Sequence, residues 1–409
     1  MLNWRRCTLL LLAAGLGGCA GSDGPHPVDR SAPLAPQLEG LGRAIGDSHI
    51  VLLGENGHGV GSLSEIKAEL LAWLHEDLGF EVIAFESGYF ECGHAWRAMA
   101  DHTAADALLA CLRYPFQQAE LLPVFEHVKA SHGSARPLAL MGVDIQSQGF
   151  DSEPRPAYSL AALAGSDPDL ARRVAALDSA LFLVAASGGL GDGIYAWAAA
   201  HGDSARTLYR QAAAATAGWD RWTFELAVGW IDRLQIRGAA EAAGADIPVR
   251  YYEIRDEWMA RAVSALADSI DGRRRVAVWL HNDHARYGAF PAGAGMSRSA
   301  GGYLQELYGE AVFSIGFFMG PGQIADNGRN VRETLPAPEE SIEAFLAAPG
   351  ADATYLLLRG NRDPEVTGWA TAARPYLRMG IEPLEMTPAQ EFDALFYVSR
   401  ATVPDYQIR

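Results

Sequence analysis

The chain has 409 residues, 49% hydrophobic and 20% charged, which excludes a disordered protein and allows a large core with insertions. A formal net charge of -17, with no basic patch, excludes a nucleic-acid binder, because nothing would neutralise the phosphates.

The first residues read as an export signal rather than as fold. Arg5 and Arg6 form a basic start, and Thr8 to Leu16 form an apolar run too short to span a bilayer. Leu16-Gly17-Gly18-Cys19 closes the run. The expectation is a bacterial lipoprotein signal over residues 1–18, with Cys19 lipidated and the protein exported to the periplasmic side of a membrane, the outer membrane. Membrane contact would come only through that anchor. Residues 19–40 are expected to be a flexible tether, given their Gly, Pro, Ser and Asp content.

Ile50 to Leu53 read as a buried strand, followed by the glycine-rich elbow Gly54-Glu55-Asn56-Gly57-His58-Gly59-Val60-Gly61. From Ser62, Leu63, Ile66, Leu70, Leu71, Leu74 and Leu78 recur at helical spacing, and Gly79 ends that helix. Val82 to Phe85 is a second strand, stopping at Glu86, and a helix follows around Phe90 to Ala100. Further apolar runs, Leu138 to Val143 and Val276 to Leu280, stop at Asp144 and His281. Between them lies an alanine-rich helical stretch, about 157–244, expected to be an insertion that caps the site as a lid. Tyr251 to Leu266 is a helix opening with Arg255 and Asp256. A Gly/Ser-rich loop spans Ala292 to Gly302, with a short helix at Tyr303 to Leu307. Late strands are expected at Val312 to Phe318, Tyr355 to Leu358 and Ala394 to Val398.

Strand-like runs separated by helices imply right-handed parallel crossovers. The expected fold is therefore α/β: a three-layer αβα core with a mainly parallel sheet, a helical insertion subdomain and a C-terminal α+β segment. The core would occupy 41–150 and 250–320, the insertion 151–249, and the C-terminal segment 321–409. Glu55, Glu86, Asp144 and His281 each end a strand, so all would gather at the carboxyl edge of one sheet, where such folds bind ligands.

That set points to acid–base chemistry. His58 can act as base near neutral pH, with Glu55 and Glu86 orienting it. His281 and His284 can donate to a developing oxyanion. No Gly-x-Ser-x-Gly elbow offers a nucleophile, so water activated by His58 is the expected attacker. The bland readings are that Glu55 and His58 cap the next helix, that His281-Asn282-Asp283-His284 is a polar loop, and that Lys67 is a surface cation. Cys92 and Cys111 pair as a disulfide or stay as two buried thiols; His94 and His102 read as bystanders.

At these residues the chain resembles the erythromycin esterase family. The matching pieces are Gly54-Glu55-Asn56-Gly57-His58-Gly59, Lys67, Phe85-Glu86, Gly142-Val143-Asp144, Arg255-Asp256 with Met259, His281-Asn282-Asp283-His284, and Phe392-Asp393-Ala394-Leu395. The resemblance implies metal-free, cofactor-free hydrolysis of an ester or lactone, a macrolide among the candidates, with His58 as base. It also implies importance for Glu55, Glu86, His281 and His284, and substrate binding by Lys67, Asp144, Asn282 and Arg255. Lys67 stands where the macrolide esterases have arginine, and a lysine cannot make the same bidentate contact. The alternatives are an exported haem- or metal-binding lipoprotein, or a metal-dependent hydrolase using the same His/Glu cluster.

Overall fold

The computed structural model describes residues 24–146, 154–188, 192–268 and 274–408. The expected signal and Cys19 lie outside the described residues. The strands are His26–Val28 (β1), Ile50–Leu53 (β2), Val82–Gly88 (β3), Ala139–Asp144 (β4), Val276–Trp279 (β5), Ala289–Ala292 (β6), Gly295–Arg298 (β7) and Val312–Met319 (β8). Gln323–Ala325 (β9), Val331–Glu333 (β10), Ala353–Leu357 (β11), Arg374–Arg378 (β12), Glu382–Met386 (β13) and Ala394–Val398 (β14) follow.

The main sheet has the spatial order β1-β11-β14-β8-β2-β5-β3-β4. From β14 to β4 every neighbouring pair is parallel, while β11 and β1 add antiparallel at the far edge. Three small hairpins, β6–β7, β9–β10 and β12–β13, complete the fold.

Parallel strands need helical crossovers on both faces, and their residues are buried on both. Val51, Leu53, Ile83, Phe85 and Trp279 pack with helices Glu39–Ile45 (α1), Gly61–Glu76 (α2), Ala104–Cys111 (α4) and Leu122–Ser131 (α5) on one face. Tyr89–Arg97 (α3) sits between, contributing to both clusters. On the other face Ile50, Leu52, Val82, Ala84, Val276 and Val278 pack with Arg250–Ala267 (α10) and with helices of the insertion. Those helices are Arg155–Leu163 (α6), Pro168–Gly188 (α7), Asp192–Ala214 (α8) and Gly218–Ala242 (α9). Their apolar side chains join one continuous cluster with the sheet. Asn282–Ala285 (α11), Ala300–Tyr308 (α12) and Ile342–Ala347 (α13) follow later in the chain.

The N-terminal stretch departs from expectation. Far from all being tether, His26 to Val28 pair with Ala353 to Tyr355, and Val28 is fully buried. A three-residue strand carries no periodic signal; it is stabilised by a free sheet edge that the sequence does not show. Likewise the loop expected at 292–302 contains β7 and the last residue of its partner β6, and the short helix starts earlier, at Ala300, where the Ser299 hydroxyl caps it.

Cys92 and Cys111 form a disulfide joining α3 to α4 across 19 positions. A loop of that size stabilises by about 3 kcal/mol. Reductant should therefore lower the melting temperature of the native chain by several degrees and leave a Cys92→Ser/Cys111→Ser variant unmoved. Equal melting with and without reductant would contradict the bond.

Candidate functional site

The order β2-β5-β3-β4 sets four strand ends side by side, spaced about 4.8 Å. Their extensions carry Glu55 and His58, then His281 and His284, then Glu86, then Asp144. The expected convergence is therefore present. Two glycines make it possible. A Cβ on Gly54 would lie 2.1 Å from the Asn282 Oδ1, so only glycine lets the loop after β5 dock against the elbow. Between Phe85 and Gly88 the β3 register slips against β4 by one residue, a bulge that re-aims Glu86. The bulge carbonyls of Ser87 and Gly88 press on Gly142, whose Cβ would lie 2.4 and 2.2 Å from them.

Glu55 is the hub of the elbow. It is 1% exposed and accepts three hydrogen bonds: from His58 Nδ1 at 2.7 Å, Lys67 Nζ at 3.0 Å and Trp279 Nε1 at 2.6 Å. Burial pushes its pKa up, but the Lys67 ammonium and His58 outweigh that and hold the carboxyl below its usual range. Lys67 is fully buried, with Nζ 3.7 Å from the centre of the Trp279 ring. Burial pulls its pKa down to about 8, against the pull of Glu55. It is not a surface cation; it sits behind Glu55.

With Nδ1–H given to Glu55, the Nε2 of His58 carries the free lone pair. The ring packs tilted against Phe116, centres 4.5 Å apart, and meets the His281 ring edge-on at 5.3 Å. No side chain caps α2, so the cap reading of Glu55 and His58 fails. Gln118, fully buried, donates to the His58 carbonyl and accepts from Ser64 Oγ at 2.7 Å.

His281 caps α11: its Nδ1 accepts from the Asp283 N–H at 3.1 Å. That leaves Nε2–H as the donor, and among the described residues this buried atom has no partner. His284 donates from Nδ1 to Asp256 at 2.7 Å and receives an Arg255 N–H on Nε2 at 2.9 Å. Burial lowers its pKa, but Asp256 and Glu86 together raise it above the usual value. Glu86 accepts from Arg255 at 2.6 Å and from the His281 N–H at 2.8 Å. Burial opposes its ionisation, yet His284, Arg255 and His58 hold its pKa well below normal.

The four expected substrate contacts turn out to be internal. Asp144, 1% exposed, is held by Arg255 at 2.6 Å and by Arg113 at 3.2 Å. Arg255 spends its donors on Asp144, Glu86 and His284. Asn282 uses both ends of its amide on the Phe317 backbone, at 2.8 and 3.1 Å, which ties α11 to β8. Lys67 serves Glu55. Buried polar groups must find partners, and here they found one another. Sequence reasoning gave no role to Trp279, read only as part of an apolar run, or to Asp256, named beside Arg255. Gln118 and Arg113 carry no local signal at all.

Asp256 predicts a measurable effect. Asp256→Asn removes the charge that raises the His284 pKa and offers an amide that can favour the wrong tautomer. Turnover should fall roughly 100-fold, with any His284 limb in the pH–rate profile moved to lower pH. An unshifted profile with full activity would remove His284 from the working site.

The donor set also bears on metal and haem binding. His284 has both nitrogens engaged, His58 has one, and among the described residues no group of three or more His, Cys, Asp or Glu is placed to hold a metal ion.

A family model described as Erythromycin esterase matches residues 75–401, a span that begins after the elbow. The "Putative hydrolase YbfO" of Bacillus subtilis (strain 168) is 22% identical over 411 residues, covering 92% of this chain and 89% of that protein. "Erythromycin esterase type II" of Escherichia coli is 29% identical over 125 residues, 30% of this chain and 29% of that one. Among solved structures, a Bacillus cereus protein superposes with a TM-score of 0.76 at 17% identity, covering 94% of this chain and 97% of its own. A mutant of the erythromycin esterase EreC in its open conformation gives 0.66 at 18%, covering 91% and 96%. At such identities the structural likeness speaks for the fold.

Proposed function

The chain belongs to the erythromycin esterase family, and from that premise we propose that it is a hydrolase that opens an ester or lactone with water activated by His58. The observation that carries the reading is the buried chain His58–Glu55–Lys67, which fixes the imidazole with its Nε2 lone pair free. Its relatives named as a hydrolase and as an erythromycin esterase support the reaction class.

In this scheme Nε2 of His58 takes a proton as the water oxygen bonds to the ester carbonyl carbon. The carbonyl oxygen becomes an oxyanion, and the unpartnered Nε2–H of His281 is the donor aimed to hold it. Collapse re-forms the carbonyl and breaks the bond to the alkoxide, which takes the proton back from His58. Glu55 stabilises the imidazolium between the two steps. Glu86, Arg255, Asp256 and His284 position His281 and carry no proton themselves.

The test is hydrolysis of a panel of aryl esters, lactones and macrolides. The expected time course is linear from the first turnover, because no acyl-enzyme forms. A burst of alcohol product, or no hydrolysis of any ester, would sink the scheme.

A further inference from the structure

We propose that Arg113 is a specificity residue that binds a carboxylate carried by the substrate, so that the preferred ester or lactone is anionic; this rests on the hydrolase reading above. Among the described residues three arginines reach the site, and two have all three guanidinium nitrogens engaged. Arg255 gives its donors to Asp144, Glu86 and His284. Arg378 is held by Asp283 at 2.8 Å and by Glu382 at 3.2 Å. Among the described residues the Arg113 guanidinium makes one hydrogen bond, Nη1 to Asp144 at 3.2 Å, and its side chain keeps 26% of its surface open.

A guanidinium is a planar fork of five N–H donors, matched to two oxygens of one carboxylate. Burial pulls the Arg113 pKa below its ordinary value, with Asp144 opposing, so a further anion would relieve the site. The single Asp144 carboxylate is already shared with Arg255. An incoming carboxylate would meet an under-satisfied cation rather than displace a finished ion pair.

The position fits a substrate contact. Arg113 sits at the start of the turn Tyr114–Phe116, and the Phe116 ring packs on His58 at 4.5 Å. Asp144 ends β4, three strands from the elbow after β2, about 14 Å along the sheet edge. A carboxylate on Arg113 therefore belongs to a substrate whose ester lies a medium-length chain away. A cationic group at the same place would be repelled.

Two chromogenic esters of equal length separate the outcomes: p-nitrophenyl hydrogen suberate, which is anionic, and p-nitrophenyl octanoate, which is neutral. The native chain should favour the anionic ester in kcat/KM by about tenfold or more. Arg113→Met should collapse that ratio about 10- to 100-fold, chiefly through KM. Arg113→Lys, which keeps the charge and loses the fork, should retain part of it and guards against a folding defect. Calorimetric titration with suberanilic acid, which the enzyme cannot open as an ester, should weaken in Arg113→Met by a similar factor. If both esters are hydrolysed with the same ratio in native and Arg113→Met protein, the assignment is wrong and the hydrolase reading stands. If neither ester is hydrolysed, the hydrolase reading falls, and equal or absent calorimetric binding in the two proteins overturns the assignment as well.

Discussion

His58→Ala is expected to lower kcat roughly 1,000-fold on any ester the native protein hydrolyses, with little change in melting temperature. The loss follows from removing the one Nε2 lone pair the elbow presents. The preserved stability follows from the partners left behind. Glu55 keeps Lys67 at 3.0 Å and Trp279 at 2.6 Å, so no buried charge is stranded. His58 itself is only 14% exposed, so its removal leaves a small space open to the site. Steady-state kinetics beside a thermal melt decide the matter. A variant within tenfold of native activity would hand the base to another group, and a large fall in melting temperature would make His58 structural.

Lys67→Met should remove most activity as well, by a different route. Burial alone raises the pKa of Glu55, and Lys67 is the strongest influence holding it down. Without the ammonium, burial wins and Glu55 takes up a proton. A neutral carboxyl cannot stabilise the imidazolium of His58, so kcat should fall about 100- to 10,000-fold near neutral pH. Activity should recover as pH rises through the new Glu55 pKa, which native protein does not show. Stability reports the same change with a definite sign. In the native chain Glu55 is depressed, so its contribution is present above the unfolded value of 4.5 and is lost as pH falls through the folded value. In the variant the folded value lies above 4.5, so stability should instead decline as pH rises from there. Glu55→Gln combined with Lys67→Met should abolish that pH term. An unchanged pH–rate profile in Lys67→Met would refute the coupling.

The sequence made the strand ends legible because each apolar run stops at an ionisable residue: Leu53 before Gly54-Glu55, Phe85 before Glu86, Val143 before Asp144, Leu280 before His281. It could not show that β5 enters between β2 and β3, since strand order follows from how crossovers pack and not from local pattern. Lys67 did carry a signal. It lies three or four positions from Leu63, Leu70 and Leu71, on the buried face of α2, where a cation requires a buried partner. Arg113 and Gln118 each precede a short helical turn with no periodicity, and only the fold brings Arg113 to Asp144 and Gln118 to His58. Asn282 and Asp144 bond to other protein groups for one physical reason. A polar residue beside a site is as readily consumed by a neighbour's backbone or guanidinium as by a ligand.

The placement of β2 has a consequence for how this protein is made. Its neighbours are β5 and β8, so Ile50 waits for Val276 and Val312 before its backbone is paired. The start of α2 waits longer still, because the Gly61 N–H is bonded to the Thr402 carbonyl at 2.8 Å. Contacts of such separation make folding slow and leave apolar strands unpaired meanwhile. On a ribosome adding about 5–20 residues each second, the elbow would be synthesised well before the segment that holds the start of its helix. Chains stalled or cut before residue 402 would then carry every side chain of the candidate site and still lack the strap that seats the helix behind His58.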